Sequence, residues 1–386
     1  MSEHPDTHRP FDQKALKLPQ LRSVVLAGGG TGGHIYPLLA YADCLRRHDP
    51  GIRVTCLGTE KGLENELIPK AGYELRNVPA HQLPRKVNVD LLLTAPRMLK
   101  AMKTTRAILD EVQADVVVGF GGYVAVPAYL AAWRRKTPMV IFEFNDPPGV
   151  ANKLALKFSD NLALGFPHLP QTSPLLADGT ITGVPLRPAI SRLDRFARRA
   201  EACARFGLDP NRPVLFVYGG SQGANSINQA VSGAARALTH RGIQVLHIIG
   251  ARRDEPVHVP SDLPVAYRTL PYLNEMELGY AAADMVMGRG GSMTVAEVSA
   301  LGLPTVFVPM PWGNKEQYRT AGPVVEAGGA IFCDDEALNP SWIEANLIPL
   351  ISDRARLAAM AQASAAFGRR DGDEALRQFT LKAVGA

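Results

Sequence analysis

The chain has 386 residues, of which 46% are apolar and 20% are charged, and its formal net charge is +5. The length predicts two or three domains with large cores, and the composition is typical of a globular protein. The sequence has no run of about 18 apolar residues, which predicts that no helix spans a membrane. Its four cysteines lie far apart without a paired metal-ligand spacing, which predicts reduced thiols in a cytoplasmic protein.

The first predicted unit of structure follows a polar segment, residues 1–20, which predicts a disordered tail. Residues 23–27 are an apolar run typical of a strand, and residues 28–34 are rich in glycine. Apolar residues then recur at helical spacing between positions 38 and 45. Strand, glycine loop and helix in this order indicate the opening of a doubly wound α/β domain.

The glycine loop of this unit also satisfies the GxGxxG spacing of dinucleotide-binding domains, at Gly28, Gly30 and Gly33. The second predicted strand, residues 54–57, is followed by Gly58 rather than by the acid that would bind an adenosine ribose. An NAD-dependent oxidoreductase is therefore a disfavoured alternative. Protection against thermal unfolding by NAD would test this alternative.

Two further predicted strands, residues 115–119 and 139–143, end in loop-forming residues. The carboxyl ends of parallel strands line the ligand crevice of an α/β sheet. We therefore expect four polar side chains to cluster at one rim of the sheet: His34, Tyr123, Glu143 and Asn145. Simple packing of Tyr123 and a structural hydrogen-bonding role for Glu143 remain open alternatives.

The segment between residues 81 and 109 combines apolar residues with a group of basic ones. The basic residues are Arg85, Lys86, Arg97, Lys100, Lys103 and Arg106. Cations for anionic headgroups beside apolar side chains are what an interfacial membrane contact requires. The alternative is an ordinary helix with one solvated face and one face in the core.

A second α/β half is predicted after a break at residues 183–188, which contain two prolines. An arginine-rich helix is predicted over residues 192–205. Beyond it the pattern of strand, glycine turn and helix repeats, with a strand at 213–218, glycines at 219–224 and a helix at 228–238. Further strands are predicted at 244–250 and 305–309, and a last helix at 374–384 has no strand after it, so we expect it to pack back on the first half.

The stretch 288–297 is the most informative part of the second half. It follows a predicted strand at 284–287 and leads into a predicted helix, with a glycine-rich turn between them. Backbone N–H groups at the start of a helix form an anion site suited to a diphosphate. Glu297, one turn into the helix, can accept hydrogen bonds from a ribose. The alternative is a tight junction whose glycines only allow close packing.

Several blocks of the sequence, taken together, carry a specific resemblance. They are residues 29–37 (GGTGGHIYP), 119–123 (GFGGY), 219–223 (GGSQG), 289–297 and 316–318, together with Glu143, Asn145 and Asn152. In this order they resemble the MurG family of GT-B glycosyltransferases over essentially the whole chain after residue 20. That family adds N-acetylglucosamine to lipid I in peptidoglycan synthesis.

The resemblance implies an α/β protein of GT-B architecture, with two Rossmann-like domains whose parallel sheets face each other across a cleft. The implied divisions are a tail (1–20), an N-terminal acceptor-binding and membrane-associating domain (21–186), a C-terminal UDP-GlcNAc-binding domain (187–367) and a C-terminal helix (368–386). The implied partners are UDP-GlcNAc, lipid I, an anionic membrane surface and other cell-wall synthesis proteins, with no nucleic acid. The implied location is peripheral, at the cytoplasmic face of the cell membrane, in a role that serves cell shape and division.

The resemblance also implies roles for individual residues. The implied UDP-GlcNAc-binding residues are Thr31, Gly32, Gly33, Asn145, Arg187, Ser221, Leu273, Ser292, Met293, Thr294, Val295, Ala296, Glu297 and Gln317. The implied acceptor-side residues are Gly30, Tyr123 and Asn152. The sequence departs from the family pattern at Phe142, Phe144, Val184 and Glu316, which lowers the weight of the implied acceptor contacts.

The implied reaction is an inverting displacement at the anomeric carbon by a muramyl hydroxyl. Helix N-termini and backbone amides would stabilise the departing UDP, so we expect no resident metal and no cofactor. His34 is the candidate general base, or else a contact of the acceptor diphosphate, since the ordinary pKa of histidine suits proton transfer. Glu143 is a second catalytic candidate. The alternatives are another GT-B enzyme that uses UDP-GlcNAc, a 2-epimerase, or a catalytically silent sugar-nucleotide-binding protein.

Overall fold

The computed structural model describes residues 20–30, 32–80, 89–167, 173–251, 256–313 and 315–385. Two parallel sheets organise these residues, as expected for a GT-B architecture. The first sheet has seven strands in the order β3-β2-β1-β4-β5-β6-β7. Its strands are β1 (Ser23–Gly28), β2 (Arg53–Gly58), β3 (Glu74–Asn77), β4 (Val116–Gly121), β5 (Met139–Glu143), β6 (Leu162–Leu164) and β7 (Thr180–Ile181).

The second sheet has six strands in the order β10-β9-β8-β11-β12-β13. Its strands are β8 (Val214–Tyr218), β9 (Gln244–Ile248), β10 (Tyr267–Leu270), β11 (Met285–Gly288), β12 (Thr305–Phe307) and β13 (Ala330–Phe332). In each sheet the strand order reverses once, between β1 and β4 and between β8 and β11. Ligands of open α/β sheets bind at such switch points, and a glycine-rich turn follows each of these four strands.

The helices cover the faces of the two sheets. In chain order they are α1 (Gly32–His48), α2 (Glu64–Lys70), α3 (Val89–Glu111), α4 (Ala125–Arg135), α5 (Val150–Ala155), α6 (Pro188–Ser191), α7 (Arg199–Phe206), α8 (Asn225–Gly233), α9 (Ala235–His240), α10 (Met276–Ala282), α11 (Ser292–Ala300), α12 (Glu316–Glu326), α13 (Pro340–Trp342), α14 (Ile348–Ser352), α15 (Arg354–Phe367) and α16 (Gly372–Gly385). The chain also forms a 3₁₀ turn at Pro174–Leu176 and a π-helical turn at Ile343–Leu347. Within the described ranges, no helix has both the length and the apolar character needed to cross a bilayer.

The strands that the sequence pattern predicts are present, each within a few residues of its expected bounds. The pattern missed five strands: β3, β6, β7, β10 and β13. These strands have two to four residues each, and the residues of β3, β7 and β10 are largely exposed or half-buried. Such short segments at or near sheet edges carry neither a long apolar run nor a clear alternation, which are the signals that reveal a strand.

The predicted arginine-rich helix over 192–205 is wrong in its first half, because helix α7 begins only at Arg199. Before it the chain turns at Asp194, whose side chain accepts hydrogen bonds from the amides of Phe196 and Ala197 at 3.1 and 3.0 Å. Arg195 is buried and donates to the carbonyl oxygen of Ala283 at 2.9 Å. This arginine therefore joins two elements of the second half instead of lying on a solvated helix face. The predicted helix at 228–238 is also divided, since α8 ends at Gly233 and α9 begins at Ala235.

The core continues from one sheet to the other. One buried cluster includes Phe120 of the first half, Phe216 of the second, Leu186 between the sheets and Leu376 of α16. Helix α16 returns to the first half and packs on α1, where Tyr41 donates to Thr380 at 2.8 Å and Arg47 pairs with Asp373 at 2.5 Å. The last helix therefore covers the first sheet although its sequence follows the second.

Candidate active site between the two sheets

A buried carboxylate accepts a hydrogen bond from the turn after β1. The side chain of Glu64, at the start of α2, is fully buried and accepts the amide N–H of Gly30 at 2.9 Å. It also accepts the amide of Thr59 at 3.1 Å and its hydroxyl at 2.9 Å. Burial acts to raise the pKa of the Glu64 carboxyl, but these hydrogen bonds outweigh it and the pKa lies below its usual value. Glu64 is not among the site residues expected from the sequence, because a single acid in a helix forms no recognisable motif.

His34 lies in the first turn of α1 beside the turn that follows β4. Its ring centroid is 5.7 Å from that of Phe144, and the side chain is half-buried. Gly121 and Gly122 have positive φ angles of 91° and 81°. A Cβ on Gly122 would lie 2.6 Å from the carbonyl oxygen of Gly29, so the turns after β1 and β4 touch at a point where only glycine fits. Burial lowers the pKa of His34, which keeps its imidazole neutral at pH 7.

Glu143, at the end of β5, organises the loop that follows it. Its buried carboxylate accepts hydrogen bonds at 2.9 Å from four groups: the amides of Phe144, Asn145 and Gly149 and the side chain of Asn152. Burial raises the pKa of Glu143, and the hydrogen bonds from this loop oppose the rise. Asn152 is itself buried, and its side chain also bonds the carbonyl oxygen of Phe142 and the hydroxyl of Tyr129. These contacts favour the structural alternative for Glu143 over a catalytic role.

The two halves meet directly across the cleft. The Ser292 hydroxyl donates to the side-chain oxygen of Asn145 at 2.8 Å. Ser292 is the first residue of α11, after Gly291 in an extended conformation with φ −70° and ψ 149°. The first amides of a helix have no acceptor inside the helix, so those of Ser292, Met293 and Thr294 are donors for an anion at this end of the cleft.

Glu297 lies one turn further along α11 and is mostly buried, with 8% of its surface exposed. Tyr280 donates to its carboxylate at 2.7 Å, and the hydroxyls of Tyr218 and Tyr280 are 2.9 Å apart. Arg187 approaches the other carboxylate oxygen at 3.7 Å and lies over the ring of Tyr36 of the first half, 4.9 Å from its centroid. Burial is the main cause of the raised pKa of Glu297, and Arg187 opposes it.

Arg289 fixes the turn that precedes α11. Its guanidinium donates to the carbonyl oxygens of Val308 and Pro309 at 3.0 and 3.2 Å and forms an ion pair with Asp335. Ser226 bonds both charged groups, at 3.1 Å to Arg289 and 2.6 Å to Asp335. The guanidinium thereby joins the ends of strands β11 and β12. Arg289 lies within the 288–297 stretch, but this role has no signal in the sequence, because Asp335 lies 46 positions away.

The remaining expected donor contacts lie around the same cleft. Ser221 is exposed in the turn after β8, Leu273 is 8% exposed, and the Gln317 side chain accepts the amide of Met310 at 3.0 Å. Met293 and Thr294 are half-buried, whereas Val295 and Ala296 face the core. Tyr123 keeps 44% of its surface exposed, which disagrees with the alternative of simple packing. Gly32 and Gly33 begin α1.

Three of the expected site residues, Thr31, Arg85 and Lys86, lie outside the described residues. The other four basic residues of the 81–109 segment are exposed on α3: Arg97, Lys100, Lys103 and Arg106. The opposite face of α3 packs in the core through Ala101, Met102 and Ile108. Leu99 is 57% exposed beside the basic residues. This helix therefore has the solvated basic face that both alternatives for the segment require.

Known families match both halves of the chain. The glycosyltransferase family 28 N-terminal domain matches residues 24–164, and the glycosyltransferase family 28 C-terminal domain matches residues 214–376. Two solved structures share the fold. MurG of Acinetobacter baumannii has a TM-score of 0.73 at 24% identity and covers 94% of this chain and 99% of its own. UDP-GlcNAc 2-epimerase of Neisseria meningitidis has a TM-score of 0.63 at 14% identity and covers 93% of this chain and 100% of its own.

Curated relatives resemble this chain more strongly over nearly its full length. Two of them bear the name UDP-N-acetylglucosamine–N-acetylmuramyl-(pentapeptide) pyrophosphoryl-undecaprenol N-acetylglucosamine transferase. The protein of Saccharopolyspora erythraea is 50% identical over 374 residues, which is 97% of each chain. That of Nocardioides sp. is 49% identical over 360 residues, which is 93% of this chain and 97% of its own. The chain therefore belongs to glycosyltransferase family 28 and, within it, to the MurG family of N-acetylglucosamine transferases.

Proposed function

We propose that this protein transfers N-acetylglucosamine from UDP-GlcNAc to the C4 hydroxyl of the N-acetylmuramyl sugar of lipid I, which gives lipid II and UDP. The near full-length relatives carry this activity in their name. One structural observation carries the proposal: the turn at the switch point of the second sheet meets the first half across a cleft, where Ser292 donates to Asn145 of the loop after β5 at 2.8 Å. A donor and an acceptor bound to opposite halves would meet there.

The donor belongs on the second half in this proposal. The amides at the start of α11 bind the diphosphate, and the partial positive charge of the helix N-terminus adds to them. Glu297 accepts hydrogen bonds from the ribose hydroxyls, for which it must exchange or share its contacts with Tyr280 and Arg187. The backbone of Leu273 holds the uracil edge, and Gln317 contacts the sugar.

His34 removes the proton of the attacking hydroxyl. A general base must be neutral before it accepts a proton, and the lowered pKa of His34 keeps it so at neutral pH. The same lowering disfavours the alternative in which a charged imidazole holds the acceptor diphosphate. The hydroxyl oxygen attacks the anomeric carbon as the bond to the UDP oxygen breaks, so the sugar inverts and the departing diphosphate carries the negative charge.

Charge on that leaving group is the main demand of the reaction. Preorganised amides and helix dipoles supply such stabilisation in a cleft from which water is excluded. We propose that the amides of the turn at 288–297 do so without a resident metal ion. Transfer activity that survives dialysis against EDTA supports this part of the proposal, and activity that returns only when a divalent cation is added back contradicts it.

The acceptor is a lipid, so the enzyme has to approach a membrane surface. We propose that the exposed basic face of α3 contacts an anionic leaflet on the cytoplasmic side, with Leu99 as a shallow apolar contact. Anionic membranes attract basic side chains by about 1 kcal/mol each near the surface. Loss of one of these cations should therefore weaken binding to anionic vesicles and leave UDP affinity unchanged.

The decisive experiment measures transfer of labelled N-acetylglucosamine to a soluble lipid I analogue. We expect a β(1→4)-linked disaccharide product that depends on both substrates, and little transfer from UDP-GalNAc. A reaction of UDP-GlcNAc alone would instead indicate a 2-epimerase. Binding of UDP-GlcNAc without turnover on lipid I would indicate a catalytically silent partner protein, and either result overturns the proposal.

A further inference from the structure

We propose that Glu64 is a positioning residue of the acceptor side: by holding the Gly30 amide, its carboxylate fixes the glycine turn that leads into α1 and so sets the place of His34. This role rests on the proposed function, in which His34 is the base. The residue belongs to a different helix, α2, and lies 34 positions from the amide that it binds.

The groups around Glu64 stabilise its charged form. The side chain is fully buried, and its partners are the Gly30 amide, the Thr59 amide and the Thr59 hydroxyl, at 2.9, 3.1 and 2.9 Å. All three groups are neutral donors. A carboxylate that accepts several such bonds stays ionised, and an ionised group buried without them would be strongly unfavourable. The donors and the acceptor therefore hold one another in place.

Three glycines enclose this carboxylate. A Cβ on Gly62 would overlap one Glu64 carboxylate oxygen, and one on Gly29 would lie 2.9 Å from the other. A Cβ on Gly58, at the end of β2, would lie 2.8 Å from the Glu64 side chain. Backbone segments from two parts of the chain thus close on the Glu64 side chain at distances that no other residue type allows without displacement.

The link to His34 runs through contacts with the turn that follows β4. A Cβ added to Gly122 would lie 2.6 Å from the carbonyl oxygen of Gly29. A Cβ added to the neighbouring Gly121 would lie 3.2 Å from Nε2 of His34. The glycine turn is therefore held on one side by Glu64 and on the other by the turn after β4. Loss of the hydrogen bond between Gly30 and Glu64 would allow the glycine turn before α1 to shift. A shift of about 1 Å in a reacting group can cost about 10²-fold in rate.

The carboxylate also takes up one donor of the turn after β1. The Gly30 amide bonds Glu64 and is not available to a ligand, whereas the first amides of α11 have no acceptor inside their helix.

The test compares Glu64→Gln with Glu66→Gln, an exposed glutamate on the same helix. In E64Q the side-chain amide offers one acceptor atom fewer, and its NH₂ group is a donor that opposes the N–H groups of Gly30 and Thr59. We expect kcat to fall about 10- to 10²-fold in E64Q, with the KM for UDP-GlcNAc within about twofold of that of E66Q. The acid limb of the kcat profile should move up towards about pH 6.5, because a displaced His34 is better solvated.

A kcat within about threefold of the E66Q control, or an equal loss of UDP affinity, would overturn the proposal. Thr59→Val removes only the hydroxyl donor and should show the same changes more weakly, which keeps the test open if E64Q folds poorly. Two readouts do not need catalysis: faster hydrogen exchange at the Gly30 amide and a raised pKa of His34, both measured by NMR in E64Q. If the wild-type protein shows no transfer, the proposed function fails by itself, and these two readouts still decide the role of Glu64.

Discussion

The two glycine turns on either side of the cleft share a sequence pattern and differ in their electrostatics. Each links a buried strand to a helix at the switch point of its sheet. The turn after β1 encloses a carboxylate, that of Glu64, which takes up the Gly30 amide. The turn after β11 contains a guanidinium, that of Arg289, which is anchored by Asp335 and two carbonyl oxygens.

Glycine-rich turns of similar sequence therefore offer different donors to the cleft. A distant residue can take up an amide of the turn, as Glu64 does, or fix the turn through backbone carbonyls, as Arg289 does. In the first half the buried charge is negative, and the neighbouring catalytic candidate is a neutral imidazole. In the second half the Arg289 guanidinium is paired with Asp335, and the first amides of α11 have no acceptor inside the helix, so the leaving group of the proposed reaction belongs there.

The largest effect should come from the base of the first half. His34→Ala should lower kcat by about 10²- to 10⁴-fold with little change in UDP affinity, whereas His240→Ala, at an exposed position on α9, should leave both unchanged. The base works only when neutral, and the pKa of His34 lies below 6.5, so wild-type kcat should fall only as the pH drops below about 6.5. A loss of less than about tenfold, or an acid limb above that pH, would remove His34 from this role.

The second-largest effect should come from the ion pair of the second half. Asp335→Asn leaves the Arg289 guanidinium without its counter-charge, and both side chains are nearly buried, at 12% and 13% exposure. Breaking such a pair costs about 3–5 kcal/mol, which denaturant unfolding can measure. Asp262→Asn breaks the exposed pair with Arg236 and should cost about 0–1 kcal/mol. Equal costs for the two variants would contradict the proposed anchoring of the turn.

A somewhat smaller effect is expected at the ribose contact. Glu297→Gln should weaken UDP binding about 10- to 10²-fold, because a hydrogen bond to a charged group contributes about 1.5–3 kcal/mol. Discrimination between UDP and 2′-deoxy-UDP should shrink in the same variant, while Glu344→Gln, an exposed change in the second half, serves as the control. Calorimetric titration measures all three proteins, and unaltered discrimination would place the ribose elsewhere.

The smallest effect concerns the outer surfaces of the two halves. Lys103→Gln on the exposed face of α3 should weaken binding to vesicles with anionic lipid about fivefold, the equivalent of about 1 kcal/mol. Arg356→Gln removes one exposed charge from α15 of the second half and should change vesicle binding much less. Sedimentation with vesicles measures both, and UDP affinity should stay constant. Equal losses of vesicle binding for the two variants would mean that the basic face of α3 is not a specific membrane-binding surface.

The sequence alone determined the order of strands, glycine turns and helices, because apolar runs and glycine clusters are local signals. It located the turns at 28–34, 119–123, 219–224 and 288–297, and its resemblance to the MurG family is confirmed by near full-length relatives. The sequence did not predict the short strands β3, β6, β7, β10 and β13, because a segment of two to four residues is too short to show a periodic pattern.

Which charged residues lie beneath those turns depends on the folding of the whole chain. Glu64 meets Gly30, Arg289 meets Asp335, and Asn145 meets Ser292, across 34, 46 and 147 positions of the chain. No local pattern specifies such pairs, since they depend on how the two sheets are arranged and how α2 and α11 are oriented. The physical reason is that backbone preferences act over a few residues, whereas burial brings together charges and donors that are distant in the chain.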